Sequence, residues 1–462
     1  MIAVAVFYDT WKQIKALLNN KIKDSLHHVV IVGGGAGGLE LATKLGDSLG
    51  RKGKAVITLI DQSKTHVWKP LLHEIAAGSM NPERHELVYL AQAHWHHFTF
   101  RLGSMDRLDR AKQEISIAPH FDEDGLEVIP RRILHYDTLI IAVGSTTNDF
   151  GVKGASQYSI ALDTQDQAER FHRRLHNALL RAQTQGASVQ AGQLEVVIVG
   201  AGATGVELSA ELHNTTRELA AYGLDKIDAD RDIKISLVEA SNRVLPALPP
   251  NLSDSVALEL RKLDVHLYTG ERVTEVTNKG IYTHSGKFIP SALVVWAAGI
   301  KAPDFLREID GLETNHINQL VVSRTLQTSL DGHIFAFGDC AACPRMNGQP
   351  GESVPPRAQA AHQQASMLVR TVKNRVAGKT DLPEYVYLDY GSLVNLGRYT
   401  TVGNLMGSIS GGSLFIEGLI ARLMYQSLYK MHLMALHGFW SMALQTLARL
   451  ITQRTESRVK LH

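Results

Sequence analysis

The chain has 462 residues, 48 Lys plus Arg against 46 Asp plus Glu, and an apolar fraction of 44%. That length sets a prior of more than one domain, and the balanced charge gives no footprint for nucleic acid. Two cysteines exclude a disulfide scaffold and fit a reducing compartment, and no apolar run is long enough to read as a transmembrane helix.

Residues 1–27 lack a basic start before their apolar run and a small-residue cleavage site, so they read as an N-terminal extension rather than a secretory signal. The stretch 28–61 then opens with a buried-strand pattern, HVVIV, and continues through Gly33, Gly35 and Gly38 in G-x-G-x-x-G spacing into an amphipathic run. A second strand, AVITLID, ends at Asp61. Glycines at this spacing make a tight turn, admit a pyrophosphate to the backbone and let helix meet strand, while the acid accepts hydrogen bonds from a ribose. Trp68 and Pro70 follow in an apolar setting, where they suit either a flat ring or a helix start packed on the core. His94, His96 and His97 lack partner ligands at a settled spacing, so no metal is expected.

Short strands fill 97–145, and the apolar strand Thr138–Val143 stops at Gly144, a backbone open to a ligand. A polar helix and linker over 163–194 lead into the second copy of the first motif, EVVIVGAGATGVELSAEL. Its glycines are Gly200, Gly202 and Gly205, its acid is Glu239, and the polar segment between is absorbed as extra helix and loop. VLPALPP reads as a rigid loop, a helix is expected over Ser253–Leu263, and ALVVWAAGI closes at Gly299. From about Lys301 the chain returns to its first domain through a strand ending at Gly338-Asp339, where Asp339 either holds a ribityl hydroxyl or caps a helix. Pro355 and Pro356 mark a helix start that sets Gln359 and Gln363 on one face beside His362. After Gly391 a hairpin precedes Leu-, Met- and Trp-rich basic segments with interfacial composition, or a helical pair for the core or a dimer partner.

The fold class expected is α/β, with two Rossmann-like dinucleotide-binding domains and a C-terminal helical membrane-associating region. Its segments are 1–27 (extension), 28–162 and 301–390 (an FAD-binding domain in two parts), 163–300 (an NADH-binding domain) and 391–462 (membrane association). Two such cradles in one chain suit a tightly bound FAD and an NADH substrate, with Glu239 disfavouring the 2′-phosphate of NADPH. Cys340 and Cys343 form a C-x-x-C, which leaves a disulfide or peroxide reductase as an alternative, and a non-catalytic NADH-responsive scaffold as another. No residue stands out as an obligate proton donor.

The stretches IVGGGAGGLELATKLG, HVWKPLLHEIAAGS, IVGAGATGVELSAELHN, VLPALPP, GDCAACPR and VPPRAQAAHQQA resemble the type II NADH dehydrogenases, the single-subunit, non-proton-pumping NADH:quinone oxidoreductases of bacterial respiratory chains. The likeness runs from about His28 to the C-terminal region. It implies FAD on Gly33, Gly35, Gly38, Asp61 and Asp339, and NADH on Gly200, Gly202, Gly205, Glu207 and Glu239. It implies a quinone, ubiquinone or menaquinone, near Gln359, His362, Gln363, Trp68 and Pro70. It also implies peripheral attachment to the cytoplasmic face of the inner membrane through the C-terminal helices, with a homodimer left open. The chain departs from the pattern in its N-terminal extension and in having Leu388 where related members carry a lysine.

Overall fold

The computed structural model describes residues 25–185, 188–190, 192–346, 348, 349, 351–397, 401–405 and 414–452. The expected N-terminal extension therefore lies outside the described residues, apart from Ser25, Leu26 and His27 at its end. In chain order, the elements that position the site begin with β1 (His27–Val32), α1 (Ala36–Leu45), β2 (Ala55–Asp61) and α2 (Leu72–Ala77). Next come α3 (Gln165–Thr184), β3 (Glu195–Val199), α4 (Ala203–Ala221), β4 (Lys234–Glu239) and β5 (Leu293–Trp296). The last are α5 (Ala358–Val376), α6 (Leu419–His437) and α7 (Phe439–Thr452).

The chain divides into two compact units. One comprises the described residues of Met1–His66, with Leu87–Gly144 and Ala302–Tyr387. Its sheet runs Gln327–Thr328, Asp331–Ala336, Thr138–Ile141, β1, β2, Thr99–Leu102, parallel except for the first pair. Val29, Ile31, Leu139 and Ile140 are fully buried, which is why these strands read as unbroken apolar runs rather than alternating ones. Helix α5 packs against α1. It begins at Ala358 with extended Arg357 before it, so Pro355 and Pro356 precede the helix instead of opening it.

The other unit comprises Val67–Glu86, Ser145–Lys301 and the described residues of Leu388–His462. Its parallel sheet runs Ser159–Ala161, β5, β3, β4, Val265–Thr269. A capping box starts α3: Gln167 N–H donates to Thr164 Oγ1 at 3.3 Å, and Thr164 N–H donates to Gln167 Oε1 at 3.2 Å. The helix expected over Ser253–Leu263 spans Pro250–Lys262, because proline suits the first helical turn. The hairpin expected after Gly391 gains a third antiparallel strand, Leu414–Glu417.

Each unit makes the same turn after its first strand. Gly33 and Gly200 sit at φ +102° and +101°, where a side chain is strained. A Cβ on Gly38 or Gly205 would be driven into the carbonyl oxygen of Gly33 or Gly200, so the first and third glycines are demanded by the chain itself. The middle glycines differ. Gly35 and Gly202 have extended φ/ψ that any residue adopts, and a Cβ there would meet no protein atom within 4 Å. Space above a helix N-terminus that the protein leaves unfilled is what a diphosphate needs. Gly205→Ala is expected to lower unfolding stability by about 1–3 kcal/mol, and Gly202→Ala by under about 0.5 kcal/mol, in denaturant titrations without nucleotide. Equal losses would refute this division of roles.

Candidate active site

In the first unit the glycine turn is tied to the end of β2. Gly34 N–H donates to Asp61 Oδ2 at 2.6 Å, and Ser63 N–H to Asp61 Oδ1 at 2.8 Å. The Gly34 carbonyl accepts from the Tyr89 hydroxyl at 2.8 Å and from His66 Nδ1 at 3.0 Å. Burial raises the Asp61 carboxyl above its ordinary value against those N–H bonds, and burial pushes His66 down to about 4, so the ring is neutral. A neutral ring that donates from Nδ1 is the tautomer this carbonyl selects. No sequence motif singles out Tyr89 or His66.

Asp339 lies on the turn Gly338–Cys340. Its carbonyl accepts from Gln319 Nε2 at 2.9 Å, and Gly338 N–H donates to Gln364 Oε1 at 2.8 Å. The glutamine that holds this turn is thus Gln364, beside the pair singled out from spacing. Gln359 and Gln363 lie on the first two turns of α5, and Gln363 Oε1 accepts from the Tyr385 hydroxyl at 3.1 Å. His362 Nδ1 bonds the buried carboxylate of Glu40 on α1, which also takes Lys44 Nζ at 2.5 Å. Burial acts to raise Glu40, but the His362 and Lys44 bonds prevail and hold its carboxyl below the usual value. Gly144 sits at φ +71°, with no protein atom within 4 Å of where a Cβ would be.

The second unit repeats the tie. Ala201 N–H donates to Glu239 Oε2 and Ser241 N–H to Glu239 Oε1, both at 2.8 Å. Arg243 spends its guanidinium on the Pro246 carbonyl at 2.8 Å. Helix α4 then carries Glu207, which accepts from Asn395 N–H at 3.0 Å. His73 Nδ1 lies 3.7 Å from Glu207 Oε2. The two do not form an ion pair, because burial pushes His73 down to about 4 and Glu207 up to about 8. Burial, with the charge of Glu211, likewise pushes Glu74 up to about 8. Near neutral pH this cluster therefore stores protons, which sequence reasoning did not foresee. Buried Trp68 stacks on His432 (5.7 Å, 15°) and meets Tyr429 at 5.5 Å, and Pro70 is the middle residue of the short turn Lys69–Leu71. Of the residues expected at a quinone, Gln359, His362 and Gln363 thus belong to the first unit, and Trp68 and Pro70 to the second.

Cys340 and Cys343 are free thiols buried in the first unit, and burial pushes each up to about 12. Among the described residues no group of three or more His, Cys, Asp or Glu could hold a metal, and His96 Nδ1 instead bonds Asp47 at 2.9 Å. On α6 and α7, Leu423, Met431, Phe439, Trp440 and Leu444 are more than half exposed. No helix among the described residues is long and apolar enough to cross a membrane.

Residues 27–365 match the pyridine nucleotide-disulphide oxidoreductase family. The chain is 42% identical to the type II NADH:quinone oxidoreductase of Haemophilus influenzae over 95% of this chain and 100% of that one. It is 27% identical to the Mycobacterium tuberculosis type II NADH:quinone oxidoreductase Ndh over 89% and 85% of the two chains. Its fold is similar to NDH2 from Plasmodium falciparum, solved in complex with NADH (TM-score 0.79, 19% identity, 94% and 100% coverage). It is also similar to the sulfide:quinone oxidoreductase of Aquifex aeolicus (TM-score 0.69, 16% identity, 93% and 96% coverage). With two glycine turns each tied to its own acid, and a relative matched from end to end, the chain belongs to the pyridine nucleotide-disulphide oxidoreductases and, within them, to the type II NADH:quinone oxidoreductases.

Proposed function

We propose that this enzyme oxidises NADH and reduces a membrane quinone through a tightly bound FAD, without pumping protons, from the cytoplasmic face of a bacterial inner membrane. The observation that carries the reading is the repeated cradle: in each, the middle glycine faces open space and a carboxylate is held at the end of the next strand. The first cradle is assigned to FAD, with Gly33, Gly35 and Gly38 at its diphosphate, Asp61 at its ribose, and Gly144 and Asp339 along the rest. The second takes NADH on Gly200, Gly202 and Gly205, with Glu239 at the adenosine ribose and Gly299 toward the nicotinamide. The Glu239 carboxyl, fixed by two backbone N–H bonds, is placed to accept from the hydroxyls of a ribose rather than to hold a 2′-phosphate, which favours NADH over NADPH.

The flavin, when bound, supplies the means to take up a hydride and pass two electrons on. The chain supplies the rest. Gln359, His362 and Gln363 of the first unit are the residues assigned to the quinone in this reading, as are Trp68 and Pro70, each taken within its own unit. Quinol formation consumes two protons: NADH brings one with its hydride and water the other, through protonated Glu207. Leu423, Met431, Phe439, Trp440 and Leu444 give α6 and α7 apolar surface for insertion at an interface rather than across it. The dithiol alternative is disfavoured because thiols at about 12 hold almost no nucleophilic thiolate.

Purified holoenzyme is expected to oxidise NADH only when a quinone is added, with FAD released on denaturation. Fast flavin bleaching by NADH without turnover on any quinone would reject the acceptor. If Glu207 delivers its proton, kcat should be flat below pH 8 and fall above it, since only the protonated carboxyl donates. Glu207→Gln should then lower kcat by about 100-fold and erase that alkaline limb. An unchanged limb in the variant would assign it to another group. A chain ending at Gly411 should float free of anionic lipid vesicles while NADH still bleaches its flavin, and continued flotation with the vesicles would remove α6 and α7 from the anchor.

A further inference from the structure

The path of a dinucleotide across the second unit follows from strand order. The chain runs from β3 outward to β4 and Val265–Thr269, then returns to place β5 on the other side of β3. The reversal lies between β3 and β5, the crevice where open parallel sheets bind ligands. With the diphosphate at Gly200–Gly202 and the adenosine ribose at Glu239 on the β4 side, the nicotinamide half must run the opposite way. It crosses the end of β5, over Ala297, Ala298 and Gly299. The turn and that segment form one floor, since a Cβ on Gly200 would lie 2.7 Å from Ala298 Cα.

At the far end of this floor sits Phe150. Its ring lies directly on Gly299, where a Cβ would collide with Phe150 Cζ and Cε2. The residue is 64% exposed, so the rest of the ring looks into solvent. Its backbone is held at φ +52°, a conformation unfavourable for a bulky side chain. The surrounding loop enforces it: Phe150 N–H donates to Asn148 Oδ1 at 3.0 Å, and Trp296 Nε1 donates to the Asn148 carbonyl at 3.0 Å. Asn148 N–H in turn donates to the Gly299 carbonyl at 3.3 Å, closing loop and floor together.

We infer that Phe150 is the residue that recognises the nicotinamide end of NADH, offering its exposed ring as a stacking surface at the end of the β5 floor. An aromatic ring placed on a glycine backbone gives the near-planar dihydropyridine carboxamide of NADH a preordered partner, and the positive φ fixes the ring over the floor. The inference rests on the second cradle taking NADH, and it adds which residue reads the part of the ligand that the cradle does not touch.

The test compares two ligands on the holoenzyme by isothermal titration. One is 1,4,5,6-tetrahydro-NAD, which has the reduced ring's shape but gives up no hydride. The other is ADP-ribose, which lacks the ring. Phe150→Ala is expected to weaken the first about threefold to tenfold and leave the second within twofold. Phe150→Trp should keep wild-type affinity for both. Gly299→Ala, which displaces the ring, should reproduce the selective loss. A merely structural role would weaken both ligands together, and that result, or no loss for either, overturns the inference while the cradle stands. If the wild type binds neither ligand, the cradle reading falls and this inference falls with it.

Discussion

Both nucleotide cradles depend on one hydrogen-bonded device, a carboxylate at the end of the second strand that seizes the backbone of the glycine turn after the first. Asp61 takes Gly34 N–H and Glu239 takes Ala201 N–H, and each spends its other oxygen on an N–H two residues onward. Bonds to an ionised acceptor contribute on the order of 1.5–3 kcal/mol each. They do more than stabilise. They make the turn and the acid one rigid piece, so the orientation of each carboxylate is set by the chain itself. Asp61 shows the balance: burial alone would drive its proton on, and the donated N–H bonds oppose that. The turn is braced from its other side as well, where Tyr89 and neutral His66 converge on the Gly34 carbonyl.

Sequence spacing revealed the device but not its bracing. The two G-x-G-x-x-G runs, the strands before them and the acids after them are local patterns, and the sheets are built on them. Tyr89 stands 55 residues from the carbonyl it supports, and His362 stands 322 from Glu40. Neither pairing leaves a periodic mark, because the fold rather than the spacing brings the partners together. Gln364 was hidden differently. In AQAAHQQA three glutamines compete, and only the geometry of α5 shows that the third is the one turned to Gly338 N–H. Phe150 was invisible because its information lies in a dihedral angle, φ +52°, that no phenylalanine announces.

The cysteines carry the same lesson in reverse. C-x-x-C is a local pattern that fits dithiol chemistry, yet the reactivity of a thiol is set by its surroundings. Cys340 donates to the carbonyls of Ile141 and Phe337, and its burial outweighs the backbone bonds at Gly144 and Val143 that would favour a thiolate. A motif's spacing fixes which residues are near one another and leaves their protonation to burial and charge.

Glu207 carries that argument to the proton chemistry. It occupies the second turn of α4, the helix whose N-terminus faces the open space above Gly202. A helix dipole favours a carboxylate there by about 0.3–1 kcal/mol. Burial works the other way and lifts the group from 4.5 to about 8, on the order of 4–5 kcal/mol. Desolvation therefore wins, and one helix presents two opposite surfaces: the positive end of its dipole, suited to anionic phosphates, at its first turn, and a neutral acid able to give up a proton at its second. The neighbours sharpen the contrast. Glu74 is held protonated by the same burial and by the charge of Glu211, while His73 is too buried to accept a proton and act as a counter-ion. The cluster is thus built from groups that each deny their neighbours a stabilised charge, which keeps a proton available near pH 7 in a chain whose sequence shows only an ordinary run of glutamates.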